Sequence, residues 1–112
     1  MTTVTLFCEN GNPVGFHVEG HSGYGEAGGD IVCASISSAV MLVINGVFYV
    51  AKATGTFEVE EEKALIHFRL DEPFLQDSVC LALLKAFQMH MEALGEEFQE
   101  YVSVQIQGGA QS

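Results

Sequence analysis

Basic residues are scarce in this sequence. Four lysines and arginines stand against 15 aspartates and glutamates among 112 residues, which gives a formal net charge of −11. A surface this acidic repels phosphate groups, so neither nucleic acid nor an anionic membrane is expected as a partner. The charge favours a basic partner, whose encounter it would steer without specifying it. The negative charge can also be explained simply by the solubility that it gives the protein.

Cysteine is sparse as well. Cys8, Cys33 and Cys80 are widely spaced and odd in number, and the sequence has no CxxC pair or zinc-like spacing. This pattern argues against a disulfide framework and predicts no metal site and no cofactor. The first ten residues have neither a basic n-region nor a cleavage-site pattern, so no secretory signal is expected. Together these features indicate a cytoplasmic protein with reduced thiols.

The length of the chain predicts one domain over residues 1–112, and the apolar fraction of 48% is enough to fill its core. Alternating apolar and polar residues predict two hairpins and a last strand. The predicted strands are residues 3–9, 14–19, 54–59, 64–70 and 100–107. Between Pro73 and Gly95, apolar residues recur at helical spacing and predict a helix that ends at Gly95.

The apolar stretch after Asp30 has two competing interpretations. One is a long buried helix with Asp30 as its N-cap; the other is a hairpin that turns at Asn45-Gly46. The helix is preferred because small residues near its start suit a closely packed helical face, and Gly46 would lie inside or near its end. A membrane span ranks third, since serines and Asn45 interrupt the run and basic flanks are missing. The predicted order is β-β-α-β-β-α-β, an α+β sandwich in which a mainly antiparallel sheet packs with two helices.

One segment combines residues that can perform chemistry. His21 lies in a glycine-rich loop that includes Gly20, Gly23, Gly28 and Gly29, and Asp30 and Cys33 follow. With Asp30 as N-cap, Cys33 would lie in the first helical turn, where free N–H groups and the helix dipole favour a thiolate. A nearby imidazole would activate the thiol further and protonate the leaving amine. Free N–H groups, that of Ala34 among them, would form an oxyanion hole.

Each of these residues also has a simpler explanation. Cys33 can be an inert core thiol, His21 a strand-end histidine bonded to the backbone, and Asp30 only a helix cap that does not orient His21. The glycines can make a mobile loop or a simple turn. The spacing of one histidine and one cysteine is a loose pattern, so the residues alone leave these alternatives open.

The remaining candidates are weaker. Cys8 and Cys80 are predicted to lie in the core, on a strand and on the inner face of a helix. His67 and His90 have no matching ligands nearby in the sequence. The acidic run from residue 60 to 62 is predicted to be a solvated turn. The serines after Cys33 lack the strand–turn–helix context of a nucleophilic serine.

The block from Gly20-His21-Ser22-Gly23 to Asp30-Ile31-Val32-Cys33-Ala34 closely resembles the ribosomal-processing cysteine protease family, Prp. The resemblance extends over the whole chain, including its size, its element order and the late 98–102 segment that enters the last strand. In that family the histidine and cysteine of this block are the catalytic dyad, and they match His21 and Cys33. The sequence departs from the family at residues 27–29, where more basic character is expected.

The resemblance implies a homodimeric cytoplasmic endopeptidase. Its substrate would be the N-terminal peptide of a large-subunit ribosomal protein, cut after an aromatic-rich Phe-Phe-Ala-type sequence. The glycine-rich loop would become ordered when substrate binds. Two other classes of function stay open: a non-catalytic ribosome-associated binding module, and a thiol or metal sensor that uses Cys33 with His21 and His17.

Overall fold

Two hairpins and a last strand build the sheet, as the alternation of the sequence predicts. The structure is a computed structural model that describes residues 1–20 and 27–108, and for residues 27–30 it describes the backbone alone. The strands are β1 (Thr2–Glu9), β2 (Asn12–Glu19), β3 (Gly55–Glu60), β4 (Leu65–Leu70) and β5 (Val102–Gln107); the helices are α1 (Ala27–Asn45) and α2 (Ser78–Glu97). A π-helical turn (Gly46–Val50) and a 3₁₀ turn (Glu72–Phe74) complete the described elements. The predicted α+β class and the order β-β-α-β-β-α-β are confirmed.

The five-stranded sheet has the order β3-β4-β2-β1-β5. All neighbouring strands run antiparallel except β1 and β5, which are parallel. Side chains alternate between the two faces of a strand, and β1 shows this directly, since every second residue is buried. The two helices pack on the apolar face, here called the covered face. The other face, here called the open face, carries His17 and His67 at neighbouring positions.

Helix α1 confirms the helical interpretation of the long apolar stretch, and the hairpin alternative is wrong. Its buried residues follow helical spacing and form one side that packs on the sheet: Val32, Ile36, Val40, Val43, Ile44 and, in the following π-helical turn, Val47. β-branched residues favour strands only weakly, and burial of a complete helix side outweighs that preference. The tertiary contact with the sheet therefore decides the conformation of this segment.

The start of α1 differs from the predicted one. The helix begins at Ala27, so Gly28 and Gly29 lie in a helix rather than in a mobile loop, and Asp30 is not its N-cap. A glycine costs only about 1 kcal/mol in a helix relative to alanine. This penalty is too small to fix the boundary of a helix whose later turns are buried on a sheet.

The end of α1 lies close to α2. Gly46 follows the last residue of the helix, as predicted, and is buried. A Cβ atom at this position would lie 2.6 Å from Cδ1 of Leu83 on α2. Glycine therefore allows the two helices to approach at this point.

The segment Ile31–Val50 is long and apolar enough to cross a membrane by length and composition, with a mean hydropathy of 2.1. The core helix of a globular protein passes the same test, and the inner side of this segment belongs to the core. The outer side is also apolar. Large side chains there are exposed, and we call them the outer apolar face: Ile31, Met41, Leu42, Tyr49 and Val50.

Helix α2 covers the other half of the sheet. Asp77 caps its start, since its carboxylate accepts a hydrogen bond from the backbone N–H of Cys80 at 2.9 Å. The helix continues two residues past Gly95, so the predicted end there is wrong. Its buried side meets the sheet at Phe87, whose ring centroid lies 4.4 Å from that of Phe16 on β2.

Candidate active site

A pocket of about 280 Å³ opens beside Cys33. It lies where the first half of α1 passes the end of β2 and the turn between β3 and β4. Apolar side chains form most of its wall, and two carboxylates stand at its rim. The lining residues are Thr2, Val18, Gly20, Cys33, Ile36, Ser37, Val59, Glu60, Glu61, Ala64, Leu65 and Ile66. The volume is near the lower limit for small-molecule sites, which suits one or two apolar side chains of a peptide.

Helix α1 positions the Cys33 thiol at the edge of the helix–sheet contact. Val32 and Ile36 on either side of it in the sequence are buried in the core. Successive residues of a helix point about 100° apart, so Cys33 is turned away from the core and is half-buried. The thiol is therefore held by a rigid element and faces a cavity, which is the arrangement that a nucleophile needs.

The position of Cys33 along α1 differs from the prediction. Cys33 is the seventh residue of the helix and not part of its first turn. The helix dipole acts mainly within the first turn, and the N–H of Ala34 belongs to the interior ladder that runs to the carbonyl of Asp30. The predicted oxyanion role of Ala34 required a free N–H in the first turn, and the described helix does not place this residue there. Activation of the thiol by His21 and a role of Asp30 in orienting that base stay predictions.

Gly20 holds the chain at the rim of the same pocket. Its φ of +100° is a conformation that side chains rarely adopt, and a Cβ would lie 2.6 Å from the carbonyl oxygen of Met1. Its N–H donates to the carbonyl of Ala64 at 3.1 Å, and its own carbonyl accepts from the Thr2 hydroxyl at 3.4 Å. Gly20 thus ends β2 at a defined place. The predicted base His21 and loop residue Gly23 lie outside the described residues.

The other two thiols are core groups, as predicted. Cys8 is 7% exposed and Cys80 fully buried. Burial, followed by the hydrogen bond and negative charge of Asp77, raises the pKa of Cys80 to about 11. Burial also raises the pKa of Cys8. Both are buried, whereas the half-buried Cys33 thiol faces a pocket, so Cys33 is the accessible candidate nucleophile of the three.

A metal or thiol sensor that combines Cys33 with His17 is not supported by the geometry. His17 lies on the open face, where its ring contacts His67, whereas Cys33 lies on a helix that packs on the covered face. Across residues 1–20 and 27–108, no group of three or more histidine, cysteine or acidic side chains is arranged to hold a metal ion.

Glu60 and Glu61 line the pocket, although nothing in the sequence indicates a site there. Their acidic run predicts a solvated turn, and both are indeed exposed. They line the pocket because β4 pairs with β2, which brings the β3–β4 turn next to Gly20 and α1. Local sequence carries no signal for this proximity, since it depends on strand order.

Comparison with known proteins places the chain in a family. The profile of the family described as cysteine protease Prp matches residues 1–103. No curated protein matches the chain significantly. A crystal structure from Streptococcus mutans is similar, with a TM-score of 0.87 and 27% identity over 95% of this chain and 96% of that one.

Two crystal structures of an essential ribosomal processing protease Prp from Staphylococcus aureus share the fold. One, with a covalently linked product peptide, has a TM-score of 0.84 and 20% identity. The other, with a substrate peptide, has a TM-score of 0.85 and 19% identity. Each match covers 96% of this chain and 100% of that one. With the family profile spanning nearly its whole length and a thiol facing a pocket, this chain belongs to the Prp family of cysteine proteases.

Proposed function

We propose that this chain is an endopeptidase that removes the N-terminal extension of a large-subunit ribosomal protein by cutting after an aromatic-rich sequence. The observation that carries this proposal is the apolar pocket beside the Cys33 thiol, with acidic groups at its rim. The chain shares its fold with the ribosomal processing protease from Staphylococcus aureus, which has a crystal structure in complex with a substrate peptide. The same substrate class is therefore proposed here.

The pocket fits both chemical features of such a substrate. Its apolar wall, formed by residues such as Val18, Ile36 and Ile66, would bury an aromatic side chain. Glu60 and Glu61 at the rim would attract basic residues, which are common in ribosomal proteins. Lys63 is the only cation paired with this rim in the described residues, 3.4 Å from Glu60. The rim therefore keeps a negative charge.

The proposed mechanism uses Cys33 as nucleophile and His21 as base. His21 removes the proton from the thiol, and the sulfur attacks the scissile carbonyl carbon to form a tetrahedral intermediate. When this collapses, the carbon–nitrogen bond breaks, and His21 gives its proton to the departing amine. Water then hydrolyses the thioester with His21 as base, which releases the acid and restores the thiol. The pairing is supported by Gly20, which precedes His21 in the sequence and lines the pocket with Cys33.

A synthetic peptide that carries a Phe-Phe-Ala sequence followed by lysines should be cut after the aromatic sequence. Replacing both phenylalanines by alanine should lower kcat/KM by at least about tenfold, because burial of one such side chain contributes about 1.5–3 kcal/mol. Replacing the lysines by glutamine should lower kcat/KM several-fold at low salt only, since salt screens exposed charges. Mass spectrometry locates the cut, and initial rates give kcat/KM.

The enzyme offers a matched control for the charge effect. Combined Glu60→Gln and Glu61→Gln substitution should remove the preference for lysines and leave the preference for phenylalanines unchanged. Equal cleavage of all peptides by the wild-type protein would contradict the proposed substrate class. Loss of the phenylalanine preference in the double variant would contradict the assignment of the two recognition elements.

We also propose that the protein is a homodimer that buries the outer apolar face of α1. Leu42 is 71% exposed there and Tyr49 69%. Several large apolar side chains exposed along one side of a helical segment are typical of a protein–protein contact. A second copy of the chain would cover the face in a two-fold arrangement, in which the same patch contributes from both subunits.

Leu42→Glu should convert the dimer to a monomer. It places a charge in the proposed interface, whereas the leucine is exposed within one subunit, so the fold should not suffer. Sedimentation equilibrium gives the mass of each species. Ile106→Glu, at an exposed apolar position on β5, is the matched control and should stay dimeric. The proposed dimer would be contradicted if the wild-type protein were monomeric both at high concentration and after 100-fold dilution.

A further inference from the structure

Two imidazole rings meet on the open face of the sheet. His17 on β2 and His67 on β4 are directly opposite in the antiparallel register. Their Nδ1 atoms lie 3.1 Å apart, and the ring planes cross at 65°. Neither ring lines the pocket beside Cys33. The proposed peptide cleavage therefore leaves this pair without a role.

A contact between His17 and Glu19 indicates which ring nitrogen of His17 donates a hydrogen bond. Nε2 of His17 lies 2.9 Å from Oε1 of Glu19. An ionised carboxylate only accepts hydrogen bonds, so Nε2 of His17 donates to it; in the tautomer that carries this proton alone, Nδ1 presents a lone pair. His67 then donates from its own Nδ1 to that lone pair.

We propose that His17 and His67 form a bis-imidazole site for a borderline divalent cation such as Zn²⁺. Two nitrogens bound to one zinc ion at about 2.0–2.1 Å are roughly 2.8 to 3.4 Å apart for angles between 90° and 109°. The observed 3.1 Å lies within this range, so both ligand atoms already have the separation that one metal ion requires. The cation takes the place of the bridging proton.

Binding needs a change of tautomer and a rotation of each ring that turns its Nδ1 lone pair from the other nitrogen toward the cation. The proton on Nδ1 of His67 moves to its Nε2, both Nδ1 lone pairs then face the cation, and the charge of the protein does not change. Glu58 is the residue opposite His67 on the other side and can accept the relocated Nε2–H. Glu19 already accepts the Nε2–H of His17. Carboxylates in this outer position orient metal-binding histidines and strengthen them as ligands.

The surroundings accept added positive charge. Arg69 lies two residues after His67 on β4 and therefore on the same open face. Its guanidinium is already paired with the Glu9 carboxylate, 2.6 Å away. The Phe7 ring packs beside His67 at 5.6 Å between centroids and shields one side of the pair. Since no third protein ligand of the described residues converges here, water completes the coordination. A site with two imidazole nitrogens favours cations that prefer imidazole ligands. Mg²⁺ and Ca²⁺ prefer oxygen ligands and are therefore excluded.

Zinc titration of the untagged chain tests this site. All proteins carry Cys33→Ser, which removes the active-site thiol as a competing ligand. Calorimetry should show one Zn²⁺ bound, with affinity at least tenfold weaker for His17→Gln or for His67→Gln. Glu19→Gln should weaken binding less, by several-fold. His90→Gln, on the exposed side of α2, is the matched control and should bind as tightly as the parent.

A second measurement needs no substitution at the site. Zinc should shift the imidazole ¹⁵N resonances of His17 and His67 together, in nitrogen–proton correlation spectra, and convert His67 to the Nε2–H tautomer. Unchanged resonances at millimolar zinc would overturn the proposal. Equal zinc affinity of His17→Gln, His67→Gln and the parent would do so as well. Because these readouts do not involve cleavage, they are independent of the proposed protease substrate.

Discussion

Replacing Cys33 by alanine should lower the rate of peptide cleavage by at least about 10⁴-fold, as removal of a catalytic nucleophile does in other hydrolases. The expected loss is this large because no other described thiol can substitute. Cys8 and Cys80 are buried, and their pKa values are raised. Single-turnover cleavage of the Phe-Phe-Ala peptide, followed by mass spectrometry, measures the effect.

Ser37→Ala is the matched control for Cys33→Ala. Ser37 lies one helical turn after Cys33 and lines the same pocket, but its hydroxyl has no role in the proposed chemistry. Activity within about threefold of the wild type is expected. Iodoacetamide should inactivate the native wild-type protein by labelling Cys33 while the two core cysteines stay unlabelled. Undiminished turnover by Cys33→Ala would end the assignment of the nucleophile.

Phe16→Ala should lower the free energy of unfolding by about 3–5 kcal/mol, the usual cost of removing a buried phenylalanine. Phe16 is fully buried and links the sheet to α2, since its ring centroid lies 5.5 Å from that of Phe68 and 4.4 Å from that of Phe87. The surrounding backbone belongs to β2 and cannot collapse into the void. Domains of this size are stable by about 5–15 kcal/mol, so much of the stability would be lost.

Phe7→Ala is the comparison that tests the cause. Phe7 is a phenylalanine of the same sheet, but it lies half-exposed on the open face against His67. Its replacement should cost less than about 1.5 kcal/mol, because water can fill the space it leaves. Urea unfolding followed by circular dichroism gives both values. Equal destabilisation by the two substitutions would show that the core does not lie on the covered face alone.

Most of the secondary structure could be predicted because its signals are local. An alternation of two residues predicts the strands, and the 3.6-residue spacing predicts α2. The segment after Asp30 carried mixed signals, since β-branched residues and an Asn-Gly pair also suit a hairpin. Its burial against the sheet resolves the ambiguity. Gly28 and Gly29 were wrongly predicted to lie in a loop for the same reason. Glycine has a low local preference for helix, and tertiary contacts outweigh that preference here.

The sequence by itself determined the fold class and the core positions of Cys8 and Cys80, because these depend on neighbouring residues, and its resemblance to the Prp family singled out Cys33 as the candidate nucleophile. Only the tertiary structure decided what surrounds these residues. The pocket beside Cys33 needs β4 to pair with β2, and His17 meets His67 only in that register. Strand order and register arise from contacts between distant parts of the chain. No periodicity along the sequence records them.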